Sequence, residues 1–409
     1  MPWRAFAILL CLSGSSFAQR DGLSGRVFVG YQGWFRAPGD GADAGWHHYK
    51  KKGRFKPGFC TIDLWPDVSE LGPGERFKTA FRHADGRVAE VFSSHHPRTV
   101  SRHFQWMKDF QIDGAFVQRF ATRLRNPKKL KHWNTVLNYC RSGARQHGRR
   151  WALMYDLSGL KAGEVQIIHK DWSRLRSEDK ITDDASYLRH RHRPLVAVWG
   201  VGFADGRDYS LGECEKLIDF FKSEAGGRCS VLLAVPFYFR ERKREAVRDA
   251  ALHRILRKAD VIQPWSVGRY RDVPGALNHT RKTWEANLAW CLAANLDHMP
   301  VVFPGFSWKN LKGGDAKLGQ IPRQKGRFYW SQFIAARRSG AKTVYVAMFD
   351  EIDEATAIFK CTNDPPVGVS SFLTYEGLPT DHYLWLTQEG RKLLRRKTPP
   401  PAQQPMPQR

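Results

Sequence analysis

The sequence predicts an α/β protein, a single (β/α)8 TIM barrel that carries a long insertion after its first strand. Eight short apolar runs rich in β-forming residues recur along the chain, and amphipathic segments of helical period separate most of them. Strands that alternate with helices pair in parallel, and 409 residues suit a closed barrel. An open doubly wound sheet is the alternative, but no Gly-rich phosphate loop follows the first strand.

The predicted elements follow one another in the order that such a barrel needs. The strands are expected at 27–31, 114–120, 151–157, 195–199, 231–236, 261–265, 299–304 and 343–349. The helices are expected at 100–110, 133–146, 211–223, 244–258, 283–294 and 326–338. Residues 36–97 form the insertion, with a short extra strand at 89–93, and long irregular segments of this kind are often functional. Residues 168–193 are a second, charged insertion.

The first 18 residues are typical of a secretory signal peptide. Arg4 supplies the positive charge, residues 5–12 the apolar stretch, and Ser16-Phe17-Ala18 the small-x-small cleavage site. We therefore expect export to the periplasm or the exterior, and no later stretch is apolar enough for a transmembrane helix. Residues 19–397 are expected to form one domain and a monomer, followed by a disordered Pro/Gln-rich tail at 398–409.

Composition limits the partners and cofactors. Lys and Arg number 66 against 40 Asp and Glu, a net charge of +26 that attracts polyanions. No nucleic-acid-binding signature accompanies the charge, so an acidic polysaccharide and an anionic envelope surface are the candidate partners. The basic residues are scattered along the chain, which favours a generally basic solvated surface. The cysteines are widely spaced without a CxxC pair, and the adjacent His47-His48 and His95-His96 lack a spaced third ligand. We expect no metal and no cofactor.

An acidic cluster follows the last predicted strand. The apolar run 343–349 stops at Asp350-Glu351-Ile352-Asp353-Glu354, which places four carboxylates within five residues. Two carboxylates whose environments separate their pKa values are the equipment of a glycosidase. A surface turn that begins a helix, with Asp350 as its N-cap, explains the cluster equally well from these residues alone.

Aromatic and polar residues stand at the ends of the other predicted strands, where barrel enzymes place their function. The candidate substrate-binding residues are Tyr31, Trp34, Gln118, Asp156, Trp199, Tyr238, Trp265 and Trp308. Aromatic rings stack on sugar faces, and amide and carboxylate groups bind hydroxyls. Each aromatic residue alone is more often core than site, but their recurrence at the same relative position favours a sugar site. For Asp156, hydroxyl binding and a helix cap are equal alternatives.

Five segments carry a resemblance to a known family. They are VGYQGWF at 29–35, HFQWMKDFQIDGAF at 103–116, FPGF at 303–306, residues 321–332, and FDEIDEAT at 349–356. Together they resemble the glycoside hydrolase family 71/99-like group, whose family 99 branch contains endo-acting α-mannosidases. The last segment is similar to a family motif of the form Phe-Asn-Glu-Trp-x-Glu-Gly-Thr.

The resemblance implies a (β/α)8 barrel and retaining hydrolysis without a protein nucleophile. By position, Glu351 would deprotonate the 2-hydroxyl of the sugar and Glu354 would be the general acid/base. Residues three apart on a helical turn share one face, so both carboxyls could reach one scissile bond. Asp350, Ile352 and Ala355 depart from the motif's Asn, Trp and Gly, so the family's substrate does not carry over.

The leading hypothesis is therefore an exported glycoside hydrolase acting on a polysaccharide or oligosaccharide, which could be anionic. A barrel that binds carbohydrate without cleaving it is the first alternative. A basic envelope protein that binds polyanions without regard to sugar identity is the second.

Overall fold

The computed structural model describes residues 22–313, 316–396, 398 and 403–406. The predicted signal peptide, residues 1–18, lies outside these residues. Of the predicted disordered tail, only 398 and 403–406 are described, and the Gln403 carbonyl accepts a 3.2 Å hydrogen bond from the Trp330 indole. Disorder of the remaining tail stays a prediction.

The described residues form strands and helices in the alternating order that the sequence predicts. The strands are β1 (Arg26–Tyr31), β2 (Phe77–Arg82), β3 (Val88–Val91), β4 (Gly114–Phe120), β5 (Arg150–Asp156), β6 (Arg189–His190), β7 (Arg193–Trp199), β8 (Ser230–Pro236), β9 (Val261–Trp265), β10 (Asp297–His298), β11 (Val301–Val302) and β12 (Thr343–Val346). The helices are α1 (Pro97–Asp109), α2 (Pro127–Gln146), α3 (Gln166–Ser177), α4 (Leu211–Lys222), α5 (Ala251–Leu256), α6 (Val273–Ala293), α7 (Lys309–Lys312), α8 (Arg327–Arg338) and α9 (His382–Arg395).

The main sheet closes into the predicted barrel. Its order is β10-β9-β8-β7-β5-β4-β1-β12-β11, and every neighbouring pair along this path is parallel. β10 and β11 are two pieces of one strand position, because β10 pairs with β9 and β11 pairs with β12. Pro300 separates them and has no N–H to donate, but its carbonyl accepts a 3.0 Å bond from Tyr345. The predicted (β/α)8 fold is thus confirmed.

The barrel strands are buried on both faces, as expected for parallel strands covered by helices. All seven residues of β8 are buried, and so are the four of β12. Gly114 is required where β4 lies against β5, because a Cβ there would sit 2.0 Å from the Arg150 carbonyl oxygen. The eighth strand ends at Val346, three residues before the predicted end, and the chain turns there toward the acidic cluster.

The long insertion folds over the carboxyl end of the barrel. It contains the antiparallel pair β2–β3, and β3 corresponds to the strand predicted at 89–93. Its Asp63 and Leu64 amides donate to the Ile352 carbonyl at 2.8 and 3.2 Å. The insertion is therefore attached directly to the turn that carries the acidic cluster.

Several helices differ from the prediction. α6 begins at Val273, ten residues before the predicted start, and the short α7 was not predicted. The helix expected at 244–258 is only α5, and Arg244 has a φ of +55°, outside the helical region. The charged insertion expected at 168–193 contains α3, which buries Trp172 and Leu175 and also buries Asp171 in an ion pair with Arg119 of β4. α9 was not predicted, although its buried residues Tyr383, Leu384, Leu386 and Leu393 follow helical spacing.

Two further features of the described residues are the state of the cysteine thiols and the hydropathy of the helices. All six cysteines from Cys60 to Cys361 are free, and all except Cys60 are buried. Burial raises the pKa of the Cys60 thiol to about 12, so even this cysteine is un-ionised at neutral pH. No helix in the described ranges is both long and apolar enough to cross a bilayer.

Replacing Gly114 with Ala should destabilise the barrel by about 3 kcal/mol, because the new methyl meets backbone that cannot move aside. Gly212→Ala in α4 is the matched control, since a Cβ there meets nothing nearer than 3.8 Å. Urea unfolding followed by circular dichroism measures both changes. Equal stability of the two variants would contradict the close approach of β4 and β5.

Candidate functional site

A cavity of about 890 Å³ opens at the carboxyl ends of the barrel strands. Aromatic rings form much of its wall, namely Trp34, Phe120, Trp199, Phe203, Trp265, Phe306 and Trp308. Six carboxyl groups also line it, namely Asp156, Asp205, Glu245, Glu351, Asp353 and Glu354. Aromatic walls with a few convergent polar groups are typical of a ligand site.

The cavity brings together eight of the ten residues that the sequence singles out as catalytic or substrate-binding. These are Glu351, Glu354, Trp34, Gln118, Asp156, Trp199, Trp265 and Trp308. Asp156 begins no helix, and its carboxylate accepts the Ser158 amide at 2.7 Å across a tight turn. Of its two predicted roles, the helix cap is therefore wrong.

Tyr31 and Tyr238 lie outside the cavity. The Tyr31 side chain is fully buried between β1 and α1, where its hydroxyl lies 2.9 Å from His103 Nδ1. The Tyr238 ring lies under the Arg244 guanidinium, 4.6 Å from its centroid. Tyr31 ends β1 and Tyr238 follows the end of β8 by two residues, but the sequence pattern does not say to which side of the barrel such a side chain turns.

Asp350 joins the ends of the first and last barrel strands. Its two carboxylate oxygens accept the backbone amides of Gln32 and Gly33, each at 2.8 Å. No helix begins here, because residues 352–355 form a turn, so the predicted N-cap role is wrong. Two acceptor oxygens explain why this chain can use Asp where the related motif has Asn. Burial raises the pKa of Asp350 to about 7 despite these bonds.

Glu351 is held in place by two side chains. Gln32 Nε2 and Thr356 Oγ1 each donate to its carboxylate at 2.6 Å. Burial, and then the nearby Asp353 carboxyl, raise the pKa of Glu351 to about 8, while the two donors act in the opposite direction. Glu351 is therefore oriented rigidly toward the cavity and receives hydrogen bonds that favour its charged form.

Glu354 has a different environment from Glu351. Its backbone carbonyl accepts the Ser307 amide at 2.9 Å, which secures the turn. Within the described ranges, no side chain donates a hydrogen bond to its carboxyl and no cation pairs with it. Burial, followed by the charges of Glu351, Asp353 and Asp63, raises its pKa well above the usual value. These surroundings therefore favour the protonated form of Glu354.

Asp353 and His48 are in contact. In the sequence, His48 is notable only as a member of the adjacent pair His47-His48. His48 Nδ1 lies 3.1 Å from Asp353 Oδ2, and its ring stacks on Trp34 at 3.9 Å and 6°. The distance would suit an ion pair, but burial lowers the pKa of His48 to about 3 and raises that of Asp353 to about 8. At neutral pH the contact is thus a hydrogen bond between uncharged groups.

Asp63 and Gln32 are site residues that the sequence analysis missed. Asp63 comes from the insertion, and burial raises its pKa to about 7. It lies close enough to Asp353 for the two charges to interact but 290 positions away from it in the sequence, so no local pattern reveals it. Gln32 follows β1 directly, but only the structure shows that it holds Glu351.

The aromatic wall is arranged to contact a ligand from several sides. Trp199 and Trp265 meet edge to face at 5.6 Å, and Trp308 meets Phe306 at 4.5 Å. The indole N–H groups of Trp34 and Trp199 find no acceptor among the described residues. Both nitrogens are buried, so what these tryptophans offer to a ligand is the apolar face of the ring.

Replacing Asp350 with Asn should lower the free energy of unfolding by about 1–3 kcal/mol near pH 8, because an amide group cannot accept both backbone N–H bonds. Asp85→Asn is the matched control, since Asp85 also accepts a backbone amide but is exposed. Urea unfolding compares the two. If both variants lose the same stability, the role of Asp350 as the link between β1 and the turn is wrong.

The carboxyl cluster predicts a pH dependence of stability. Asp350, Glu351 and Asp353 have folded pKa values of about 7 to 8, above the unfolded values near 4. The folded state therefore binds more protons than the unfolded chain in this window, and the free energy of unfolding falls as pH rises from about 4 to about 8. Unfolding experiments at several pH values test this.

Asp353→Asn should make that decline shallower, because the amide cannot ionise and no longer repels Glu351. The control Asp43→Asn removes one exposed carboxyl from the insertion at 36–97. It should keep the wild-type decline of stability with pH. A decline that is unchanged in Asp353→Asn would show that the cluster is not the source of the effect.

Comparison with known proteins gives matches among solved structures. No protein-family model and no curated protein matches the chain. The chain is similar to the GH99 endo-alpha-mannosidase from Bacteroides thetaiotaomicron, with a TM-score of 0.67, 15% identity and coverage of 91% of this chain and 98% of that one. A structure of that mannosidase with BIS-TRIS-Propane gives a TM-score of 0.66 at the same identity and coverage.

A protein described as glycoside hydrolase-like is also similar, with a TM-score of 0.53, 12% identity and coverage of 90% of this chain and 94% of that one. The likeness extends over almost the whole chain in all three comparisons. The resemblance stated from the sequence is therefore confirmed at the level of the fold, and this protein has the barrel fold of those glycoside hydrolase structures.

Proposed function

We propose that this protein is a glycoside hydrolase that cleaves a polysaccharide or oligosaccharide with the carboxyl groups of Glu351 and Glu354. The observation that carries the proposal is the pairing of two unlike carboxyls in one aromatic-lined cavity. Glu351 accepts two hydrogen bonds, whereas Glu354 accepts none from a described side chain. Similarity of fold to the GH99 endo-alpha-mannosidase supports the same assignment.

The unlike environments assign the two roles. Hydrogen bonds from Gln32 and Thr356 stabilise the charged form of Glu351 against the effect of burial, so Glu351 can act as a base as the pH rises toward its pKa of about 8. Glu354 has no such donor, is half-buried and lies near three other carboxyls, so its protonated form is favoured and can serve a leaving group. A carboxylic acid that stays protonated at neutral pH is what a glycosidase acid requires.

The proposed reaction retains configuration at the anomeric carbon. Glu351 takes the proton of the sugar's 2-hydroxyl, and that oxygen attacks the anomeric carbon while the glycosidic bond breaks. The departing oxygen takes the proton of Glu354. Water then opens the resulting 1,2-anhydro ring, giving one proton to Glu354 as the ring oxygen regains its own from Glu351. Both carboxyls end as they began.

The substrate, cell location and assembly state belong to the same proposal. Trp34, Trp199, Trp265 and Trp308 would stack on sugar rings, while Gln118 and Asp156 would bind hydroxyls. Export by a signal peptide at 1–18, a monomeric state and an anionic polysaccharide all agree with the sequence, and the net charge of +26 favours the last.

A barrel that binds carbohydrate without cleaving it is the second candidate function. Ile352 favours it, because the related motif has Trp at this position and Ile352 is fully buried, away from the cavity wall. The two candidate functions use the same cavity. They differ only in whether Glu351 and Glu354 catalyse hydrolysis of the bound glycan.

Glu354→Gln should reduce turnover by a factor of at least about 100, because the amide has no proton to give to the leaving oxygen. Binding of the same polysaccharide should be nearly unchanged. Release of reducing ends from a panel of neutral and anionic polysaccharides measures turnover, and isothermal titration calorimetry measures binding.

Glu285→Gln is the matched control, since Glu285 is an exposed carboxyl on α6, outside the cavity. It should retain wild-type turnover. Full activity of Glu354→Gln would overturn the assigned mechanism. If the wild type binds a polysaccharide but releases no reducing ends from any, the non-catalytic candidate is correct.

A further inference from the structure

The insertion carries a loop at residues 50–60 whose charge is entirely positive. Its cations are Lys50, Lys51, Lys52, Arg54 and Lys56, all of which are exposed. No acidic residue occurs between positions 44 and 62. The loop doubles back on itself, since the Lys51 and Arg54 backbones exchange two hydrogen bonds of 2.9 and 3.1 Å. Five positive charges thus project from one short loop.

A buried aromatic cluster supports the loop from beneath. Phe55 lies within it, with its ring 4.8 Å from Trp46, 4.9 Å from Phe81 and 5.1 Å from Tyr49. The Gly58 amide also donates to Ser370 Oγ at 2.9 Å, which attaches the far side of the loop to the body of the protein. The cations are therefore presented from an anchored platform rather than from a loose segment.

The loop stands at the mouth of the cavity. Lys50 lines the cavity, as do His47, His48 and Thr61 on either side of the loop. The charges of Lys309 in α7 and of Lys51 in the loop both lower the pKa of the Cys60 thiol, which burial raises. Both lysines therefore lie near Cys60, so α7 and the loop are close together.

Helix α7 contributes further cations to this side of the mouth. Lys312 Nζ lies 4.5 Å above the ring of Trp308, which lines the cavity. We call the loop 50–60 together with Lys309 and Lys312 the basic rim.

The seven cations of the basic rim are unpaired. None forms an ion pair with a carboxylate in the part of the chain that the structure describes. Other cations of the cavity are neutralised, because Arg207 pairs with Asp205 at 2.7 Å and Arg269 with Glu245 at 3.3 Å. The free positive charge of the mouth therefore lies on one side of it, whereas the floor holds the carboxyls of Glu351, Asp353 and Glu354.

We propose that the basic rim binds the anionic substituents of a polysaccharide while an uncharged sugar unit of the same chain lies over Glu351 and Glu354. The proposal rests on the proposed function and names its substrate class. Unpaired exposed cations attract sulfate or carboxylate groups, whereas the aromatic floor of the cavity offers no unpaired cation among the described residues to offset the cost of desolvating such a group. The charged units thus occupy the rim, and the scissile bond lies next to an uncharged unit.

Binding to defined polymers tests the rim. The variant K51Q/K52Q/K56Q removes three rim charges and leaves the cavity lining intact. The control K170Q/K216Q/K342Q removes three exposed charges from α3, α4 and the opposite end of the barrel. Calorimetry with dextran sulfate, polygalacturonate and uncharged dextran in about 0.15 M salt measures affinity.

The rim variant should bind dextran sulfate or polygalacturonate about tenfold more weakly than the wild type, and the control should lose less than about twofold. The polymer whose affinity falls more in the rim variant identifies the preferred group, sulfate for dextran sulfate and carboxylate for polygalacturonate. Equal losses in the two variants would overturn the proposal in favour of a diffuse charge effect. Tighter binding of duplex DNA than of either polymer would overturn it in favour of nucleic acid.

Hydrolysis separates failure of the rim from failure of the proposed function. Carrageenan, chondroitin sulfate, alginate and pectin are compared with their desulfated or carboxyl-reduced forms. On a cleaved polymer, the rim variant should raise KM about tenfold for the charged form only, with kcat unchanged. Unchanged KM with normal turnover overturns the rim alone, whereas full turnover by Glu354→Gln overturns the proposed function whatever the rim does.

Discussion

The site depends on one interaction, the acceptance of two backbone amides by the Asp350 carboxylate. It joins the carboxyl end of the last barrel strand to that of the first, across 318 positions of sequence for Gln32. Because the Gln32 backbone is bound there, its side chain is placed to donate to Glu351. The same contact that joins the first and last strands of the barrel therefore also orients the Glu351 carboxyl. A buried carboxylate is costly to desolvate, and two good donors offset much of that cost.

The cluster around Glu351 shows how burial distributes protons among neighbouring acids. Asp353 and Glu354 are close enough to Glu351 that the three cannot all ionise at neutral pH. The protein carries a net charge of +26, yet no cation of the described residues neutralises Glu354. The positive charge stands at the rim instead. Because the cations lie at the rim and not beside Glu354, no positive charge of the described residues favours the ionised form of Glu354. The rim cations stay unpaired where a polymer would approach.

The sequence predicted the barrel well because alternating apolar runs and helical periods are local signals. All eight strand positions were expected within a few residues, and Glu351 and Glu354 stood out by carboxylate density alone. α3 was missed because its solvent face is crowded with charge, which made a barrel helix resemble an insertion. The roles of Tyr31 and Tyr238 were also misjudged, since a strand end gives a residue's height in the barrel but not the direction of its side chain.

The sequence by itself determined the strand order, the barrel and the place where carboxyls would gather, because these follow from hydrophobic period and from the geometry of parallel strands. Only the tertiary structure decided what each carboxyl does. Asp350 accepts two backbone amides, Glu351 accepts two side-chain hydrogen bonds and Glu354 has no described side-chain donor, because residues distant in sequence, among them Gln32 and Asp63, surround them differently. Burial and hydrogen-bond donors set a pKa, and both are created by folding.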